Sequence, residues 1–336
     1  MSLRILTWHV HGSYLYYLAQ VPHELVVPFR PGRPDGYGGR TAGFPWPPNV
    51  VELPAEEVHR ERLDAILFQS RKNWEIDQFD ILSDAQRRLP RIYLEHDPPR
   101  ESPTDTRHPV DDPDVLLVHC TAFNDLMWDS GRTPTRVIDH GVIDPGVRYT
   151  GELERGIVVV NGLAKRGRRL GADVFEQARG EVPLELVGME SEQLGGRGPL
   201  THTELPTFEA RHRFFFNPIR YTSLGLSIIE AMMVGLPIVA LATTEIPTVI
   251  QNGRSGISAT RVNELIEGMR RLLESPEEAR ALGDAGRRIA LERFAIGRFV
   301  GEWDRTLREV VGRTGLTPGA ELPAESPREP KAVGAA

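Results

Sequence analysis

The sequence predicts an α/β protein of two doubly wound domains, and three observations carry that expectation. Residues 213–242, RFFFNPIRYTSLGLSIIEAMMVGLPIVALA, read as an apolar strand (Phe214–Phe216), a polar turn reaching Gly225, a short helix (Ser227–Val234) and a second apolar strand (Leu236–Ala242). Strand, glycine turn, helix, strand is a βαβ unit, which implies a parallel sheet. Strand-then-helix units of similar length recur in the first half, as a doubly wound domain requires. Finally, 336 residues exceed what one core usually fills, so two domains are expected.

Leu3–Trp8 reads as the first buried strand, followed by His9-Val-His-Gly12 and an apolar helix over Ser13–Ala19. Leu25–Phe29 is a second strand. Pro31–Pro48 then holds ten Gly or Pro residues in eighteen, interspersed with Arg30, Arg33, Arg40, Tyr37, Phe44 and Trp46. Such a segment is neither helix nor central strand; it is a surface loop or a flap over a ligand. Further strands are expected at Val50–Leu53, Ala65–Gln69, Arg91–Glu95, Val115–Cys120 and Arg136–Asp139. Helices are expected at Trp74–Leu89 and Ala122–Ser130, where apolar residues recur at three- and four-residue steps. The crossovers are short, so this half reads as a reduced doubly wound domain. Glu95, His96 and Asp97 end one strand together; buried strands rarely end on three polar groups without partners for them. By alternation, Glu95 and Asp97 point away from His96.

Pro145 and Gly146 open a polar stretch to Arg155, where the interdomain linker is placed, giving domains at 1–150 and 151–296. The second half begins with a strand at Gly156–Asn161, a basic loop (Lys165-Arg-Gly-Arg-Arg169) and a helix from Gly171 to Ala178. Leu184–Met189 is another strand. A helix follows at Glu264–Leu273, then one capped by Ser275 with Pro276 in its first turn. Phe299, Val300, Trp303, Leu307 and Val310 form one apolar stripe on a last helix, 297–311. The composition of 315–336, rich in Pro, Ala, Gly and Glu, predicts disorder.

The net charge of −7 gives no general attraction to nucleic acid or an anionic membrane, though basic patches leave peripheral membrane contact open. The N-terminus lacks the features of a signal peptide, no segment reaches the length of a membrane span, and the single Cys120 suits a reducing compartment; a cytoplasmic protein is expected. No G-x-G-x-x-G is placed for a dinucleotide, and no metal-ligand cluster is evident. At the turn before Ser227, Gly225 lets backbone approach an anion, and the helix N-terminus adds partial positive charge. Glu230, one turn inside, could accept two ribose hydroxyls; the Ser227-x-x-Glu230 spacing equally fits a capping box with no ligand.

NPIRYTSLGLSIIEAMMVGLPIV resembles the donor-site signature of retaining GT-B glycosyltransferases of the family-4 (group 1) type, with Gly225, Leu226, Glu230, Ala231, Met232, Gly235 and Pro237 in register. The resemblance extends to Val137–Asp144 and fades in the first 130 residues. It implies two Rossmann-like domains facing a cleft, with the last helix returning to the first domain. It also implies a hexosyltransferase acting with retention, using a nucleotide-sugar donor and a saccharide, lipid or small-molecule acceptor, and needing neither metal nor cofactor. Residue by residue, it places Glu230 on the ribose and the Gly225 and Leu226 amides on the diphosphate. The family's two diphosphate-holding cations fall in the run 165–169 in one of two registers: anchored on Gly171, Lys165 takes the Arg position and Leu170 the Lys position, whereas anchored on Arg166-Gly167, Asn161 takes the Arg position. The run meets the charge requirement in either register, with Lys165 and Arg169 as the candidate contacts. It places Thr222 and Ser223 on the donor loop, His96 at the transferred sugar, and His11 and Gly12 on the acceptor side. Two departures stand out. Thr222 replaces the first of the family's two glutamates, and Thr243–Ile250 lacks both glycines and the glutamate of the family's next motif. They leave open a second class of function, a non-catalytic subunit that binds nucleotide-sugars on the same fold.

Overall fold

The computed structural model describes residues 1–312; the tail expected to be disordered, 315–336, lies outside them. The first half runs β1 (Arg4–Thr7), α1 (Gly12–Leu18), β2 (Glu24–Phe29), β3 (Val50–Pro54), β4 (Ala65–Phe68), α2 (Gln78–Ile81), β5 (Arg91–Glu95), β6 (Val115–His119), α3 (Ala122–Met127) and β7 (Thr135–Val137). The second runs β8 (Leu153–Val159), α4 (Leu163–Leu170), α5 (Ala172–Arg179), β9 (Leu184–Val187), α6 (Leu205–Glu209), β10 (His212–Asn217), α7 (Leu226–Val234), β11 (Ile238–Leu241), α8 (Ile246–Val249) and β12 (Ile257–Ala259). Helices α9 (Val262–Glu274), α10 (Pro276–Arg293) and α11 (Ile296–Gly312) follow.

β1–β7 form one seven-stranded sheet and β8–β12 a second of five, and every ladder is parallel. Helices cover both faces of such sheets, which is why the strands read as unbroken apolar runs rather than alternating ones; β4 and β6 are buried along their whole length. The strand orders, 3-2-1-4-5-6-7 and 12-11-10-8-9, each reverse direction once. The reversals fall between β1 and β4 and between β8 and β10, and ligands of open α/β sheets bind at the carboxyl ends of strands at such points. The residues leaving these strand ends are Trp8–Gly12 and Gln69 on one side, and Asn161–Arg169 and Pro218–Gly225 on the other.

α11 crosses back to the first half. Trp303 donates its indole N–H to the Tyr14 hydroxyl at 3.2 Å, and Arg136 reaches Thr306 at 2.7 Å and Glu309 at 2.6 Å. Gly141 is required by this docking: a Cβ there would lie 2.1 Å from that of Phe299. Of the stripe expected on this helix, Phe299, Trp303 and Leu307 are buried, together with Thr306.

Several expectations change. The helix expected over Trp74–Leu89 is three short pieces: a π-helical turn (Asn73–Asp77), α2, and a 3₁₀ turn (Gln86–Arg88). Polar side chains divert its backbone, because the Ser83 amide donates to Gln86 Oε1 at 2.9 Å and Leu82 is extended. The basic run 165–169 is helical rather than a loop, since buried Leu163 and Leu170 anchor both ends of α4. β11 begins two residues late, after Gly235 takes φ 100° and Pro237 withholds its donor. The first half is reduced in its helices, as expected, but not in its strands.

Candidate functional site

On the second-domain side, β8 is followed by Asn161 and Gly162, and Gly162 enters α4 with φ 59°. A second left-handed residue, Gly167 at φ 55°, kinks the helix and redirects its cations. Arg168 pairs with Asp173 at 2.7 Å, an acid that Arg220 also grips. Lys165 and Arg166 are exposed and form no ion pair among the described residues. Arg169 is half-buried, and its guanidinium is pushed below its ordinary value by burial and then by the charge of Arg100, with Arg166 adding and Asp97 opposing. Arg100 of the first domain, itself paired with Asp97, thus disfavours the charge of Arg169, a cost that a bound anion would relieve. The helix is held to the next loop through the Arg169 carbonyl, which accepts the amides of Arg220 at 3.1 Å and Tyr221 at 3.2 Å. Gly171, at φ 80°, permits the contact: a Cβ there would lie 1.9 Å from the Pro218 oxygen.

That loop delivers α7. Its N-cap is Gly225, in an ordinary extended conformation (φ −67°), and a Cβ on it would meet only Ser227 Oγ, at 3.6 Å. Neither strain nor packing within the chain demands glycine there, so the open backbone face is available to a ligand. The capping-box alternative is corrected: no side chain caps α7, and Ser227 is not its N-cap. Glu230 Oε1 instead accepts a hydrogen bond from Tyr17, at 2.8 Å, across the two domains. Burial raises the Glu230 carboxyl above its usual range and the Tyr17 hydroxyl opposes that shift. Thr222 is half-buried and makes no side-chain hydrogen bond among the described residues. Ser223, expected on the donor loop, is buried in the seam between domains, 3.2 Å from Thr121 Oγ1.

On the first-domain side, His96 follows β5 and its Nε2 lies 3.1 Å from Gln69 Oε1. The Gln69 amide nitrogen donates to Thr7 Oγ1 at 2.7 Å and to the Trp8 carbonyl at 2.8 Å. Its oxygen must then accept, so His96 carries its proton on Nε2. Burial holds this imidazole well below its ordinary value, with His11 and His140 adding to the effect; it is neutral at pH 7. The His11 and His96 rings are 4.3 Å apart, and Tyr14 meets His96 edge-on at 4.8 Å. Gly12 is needed by the Gly/Pro-rich segment, because a Cβ there would lie 2.8 Å from the Phe44 ring. Phe44 also packs on Tyr16 and His202, and the His202 amide donates to the Gly43 carbonyl at 3.3 Å. The segment is thus a flap that touches both domains. β5 ends at Glu95, so strand alternation does not extend to Asp97. The Asp97 carboxylate pairs with Arg100, three residues on, while Glu95 Oε2 lies 3.2 Å from His108 Nε2.

The structure thus places Glu230, Gly225, Leu226, Lys165, Arg169, His96, His11 and Gly12 on the segments that follow the carboxyl ends of strands in the two sheets, and turns Ser223 into the seam between domains. The sequence reading missed Tyr17, Gln69 and Arg100. Gln69 alone carried a signal, as the polar residue directly after an apolar strand.

Residues 178–275 match the family model described as "Glycosyl transferases group 1". Over 101 residues the chain is 38% identical to an MMP alpha-(1->4)-mannosyltransferase of Mycolicibacterium hassiacum, covering 29% of this chain and 24% of that protein. Over 167 residues it is 27% identical to an alpha-D-kanosaminyltransferase of Streptomyces kanamyceticus, covering 46% and 43%. The matches thus span less than half the length of either curated relative. Among solved structures, sucrose-phosphate synthase from Thermosynechococcus elongatus superposes with a TM-score of 0.71 at 16% identity, over 92% of this chain and 99% of that one. Anabaena HepE, in complex with UDP and glucose, superposes with a TM-score of 0.65 at 16% identity, over 91% and 99%. No helix among the described residues is long and apolar enough to cross a membrane.

Proposed function

We propose that this chain, which has the GT-B fold and carries group 1 glycosyltransferase sequence in residues 178–275, is a retaining, metal-independent hexosyltransferase that uses a nucleotide-sugar. The observation that carries the reading is the pairing of Gly225, whose backbone face is open, with Glu230 one turn deeper on the same helix end. Glu230 would accept the ribose hydroxyls. The amides of Gly225 and Leu226, with Lys165 and Arg169, would hold the diphosphate and stabilise charge as it leaves. Neutral His96, its Nε2–H fixed by Gln69, offers its other nitrogen to the sugar side of the cleft. In a front-face transfer the acceptor oxygen bonds to C1 on the face from which the phosphate oxygen departs. The acceptor's proton passes to that phosphate oxygen, so no protein nucleophile is needed. His11 and Gly12 would line the acceptor side, and the acceptor is a saccharide, lipid or small molecule. The transferase names of the curated relatives and the UDP and glucose bound to HepE support a hexosyl donor. Buried Cys120, the one cysteine in the sequence, suits a cytoplasmic location.

Thr222 favours a second reading, a binding subunit without turnover, because it offers no carboxylate to the transferred sugar. One experiment separates the two. A panel of nucleotide-sugars is screened for thermal stabilisation, and the best binder is incubated with acceptors while products and their anomeric configuration are read by NMR. Transfer with retention supports the enzyme; stabilisation without release of nucleoside diphosphate from any donor supports the subunit.

A further inference from the structure

Glu230 lies on α7 of the second domain, yet its hydrogen-bond partner is Tyr17 of α1 in the first, at 2.8 Å. The Tyr17 ring is buried, 5.4 Å from Tyr16 and 5.5 Å from His202 between centroids, so its hydroxyl has little freedom to turn elsewhere. His202 also faces this carboxylate, with its Nε2 3.5 Å from the Tyr17 oxygen and its Nδ1 3.9 Å from Glu230 Oε1. A second carboxyl lies nearby. Glu209, on α6, is fully buried, and neither of its carboxyl oxygens has a hydrogen-bond partner among the described residues. Burial, and then the charge of Glu230, push the Glu209 carboxyl well up, and burial followed by Glu230 does the same to the Tyr17 hydroxyl. Burial works against ionisation of Glu230, and the tyrosine O–H is the donor that favours its charged form. One Glu230 oxygen is thereby occupied and aimed, and the other is left to accept a hydroxyl.

We propose that Tyr17 is a positioning residue for the ribose site: it fixes and keeps ionised the Glu230 carboxylate from the opposite domain, so that nucleotide affinity depends on the two domains being closed. The proposal rests on the donor-site reading of Glu230 given above. It implies that a ribose finds a carboxylate already oriented in the closed molecule and a less favourable one when the domains part. It also implies that Tyr17 acts only through Glu230.

The test is calorimetric titration of the parent, Tyr17→Phe, Glu230→Gln and the double variant. The ligands are UDP, GDP and ADP, followed by the 2′,3′-dideoxy analogue of whichever binds. Tyr17→Phe retains the ring packing, so its fold should be intact, and a melting curve checks this. The expected result is about tenfold weaker binding of the ribonucleotide in Tyr17→Phe, the loss of one hydrogen bond to a charged group. The dideoxy analogue should change by less than about twofold on the same argument, and Tyr17→Phe should add nothing in the Glu230→Gln background. Unchanged or tighter ribonucleotide binding would overturn the proposal, the latter because Tyr17 would then be competing with the ribose. Equal losses for both nucleotides, or additive losses in the double variant, would overturn it in favour of a purely structural tyrosine. A parent that binds none of the three nucleotides overturns the donor reading and this proposal together; a parent that binds while Tyr17→Phe loses nothing overturns this proposal alone.

Discussion

Glu245 Oε2 accepts the backbone N–H of Phe123 at 3.0 Å, so a buried carboxylate of the second domain meets the first turn of α3 in the first. Its other oxygen takes the Thr248 hydroxyl at 2.6 Å and Arg293 at 3.0 Å, and Arg293 also holds Asp139. Thr244 beside it sits at φ 50°, a left-handed conformation that glycine adopts at no cost. Glu245, supported by Thr248, thus builds a staple between domains where the resembled motif has glycine and glutamate.

Removing that carboxylate is expected to destabilise the protein. Glu245→Ala leaves the Phe123 amide unpaired and deprives Arg293 of one of two acids, a cost of about 2 kcal/mol. The melting temperature should fall by roughly 3 °C in a chain of this size. An unchanged melting curve would show that the staple carries no stability.

Gly171→Ala tests how the cations of α4 are placed. Its Cβ would overlap the Pro218 oxygen at a position where φ is also positive, so α4 and the loop to α7 must separate. Such overpacking costs about 1–3 kcal/mol. Nucleoside diphosphate affinity should fall with stability, whereas Gly225→Ala, where nothing within the chain obstructs, should lower affinity with little change in melting temperature.

The basic end of α4 is expected to hold the diphosphate through Lys165 and Arg169. Each charge-assisted contact is worth about 1.5–3 kcal/mol, so Lys165→Ala and Arg169→Ala should each weaken nucleoside diphosphate binding about tenfold or more. Binding of the nucleoside itself should not change. Unaltered diphosphate affinity in both variants would move the role to Arg166 and Arg100.

Acid stability follows from the buried histidines. Burial holds His119 at about 3 and His140 at about 4, and pushes His96 well down as well. Asp125, 3.6 Å from His119, does not offset the burial. Below the ordinary histidine value near 6.5, the unfolded chain takes up protons that the folded chain refuses, so stability is lost as pH falls from about 6.5. At pH 5 the penalty from His119 alone is about 2 kcal/mol. His119→Gln should therefore flatten the decline in melting temperature between pH 7 and pH 5; an unchanged slope would show that His119 titrates normally.

Much of this was legible in the residues. Parallel strands buried on both faces announce themselves as apolar runs, and Gly235, Pro237, Ser275 and Pro276 mark helix ends by local chemistry. The strand-end position of His96 and the motif register of Glu230 could be read without coordinates. What could not be read were partners distant in sequence. Tyr17 looks like one more core aromatic in an apolar helix, and only the docking of two domains puts its hydroxyl on Glu230, 213 residues away. Glu245 looked like a lost glycine and is a contact to α3. The basic run was misread as a loop because its charges are plain in the sequence, while the burial of Leu163 and Leu170 that winds it into a helix is a tertiary effect.

The central claim is that Glu230 receives the ribose of a nucleotide donor. The direct measurement is calorimetric titration of the parent and Glu230→Gln with the nucleoside diphosphate of the best-stabilising donor, alongside their melting curves. Loss of a charged acceptor for the ribose should weaken binding by about tenfold, while the melting temperature stays within a few degrees. A Glu230→Gln variant that binds as tightly as the parent would contradict the account.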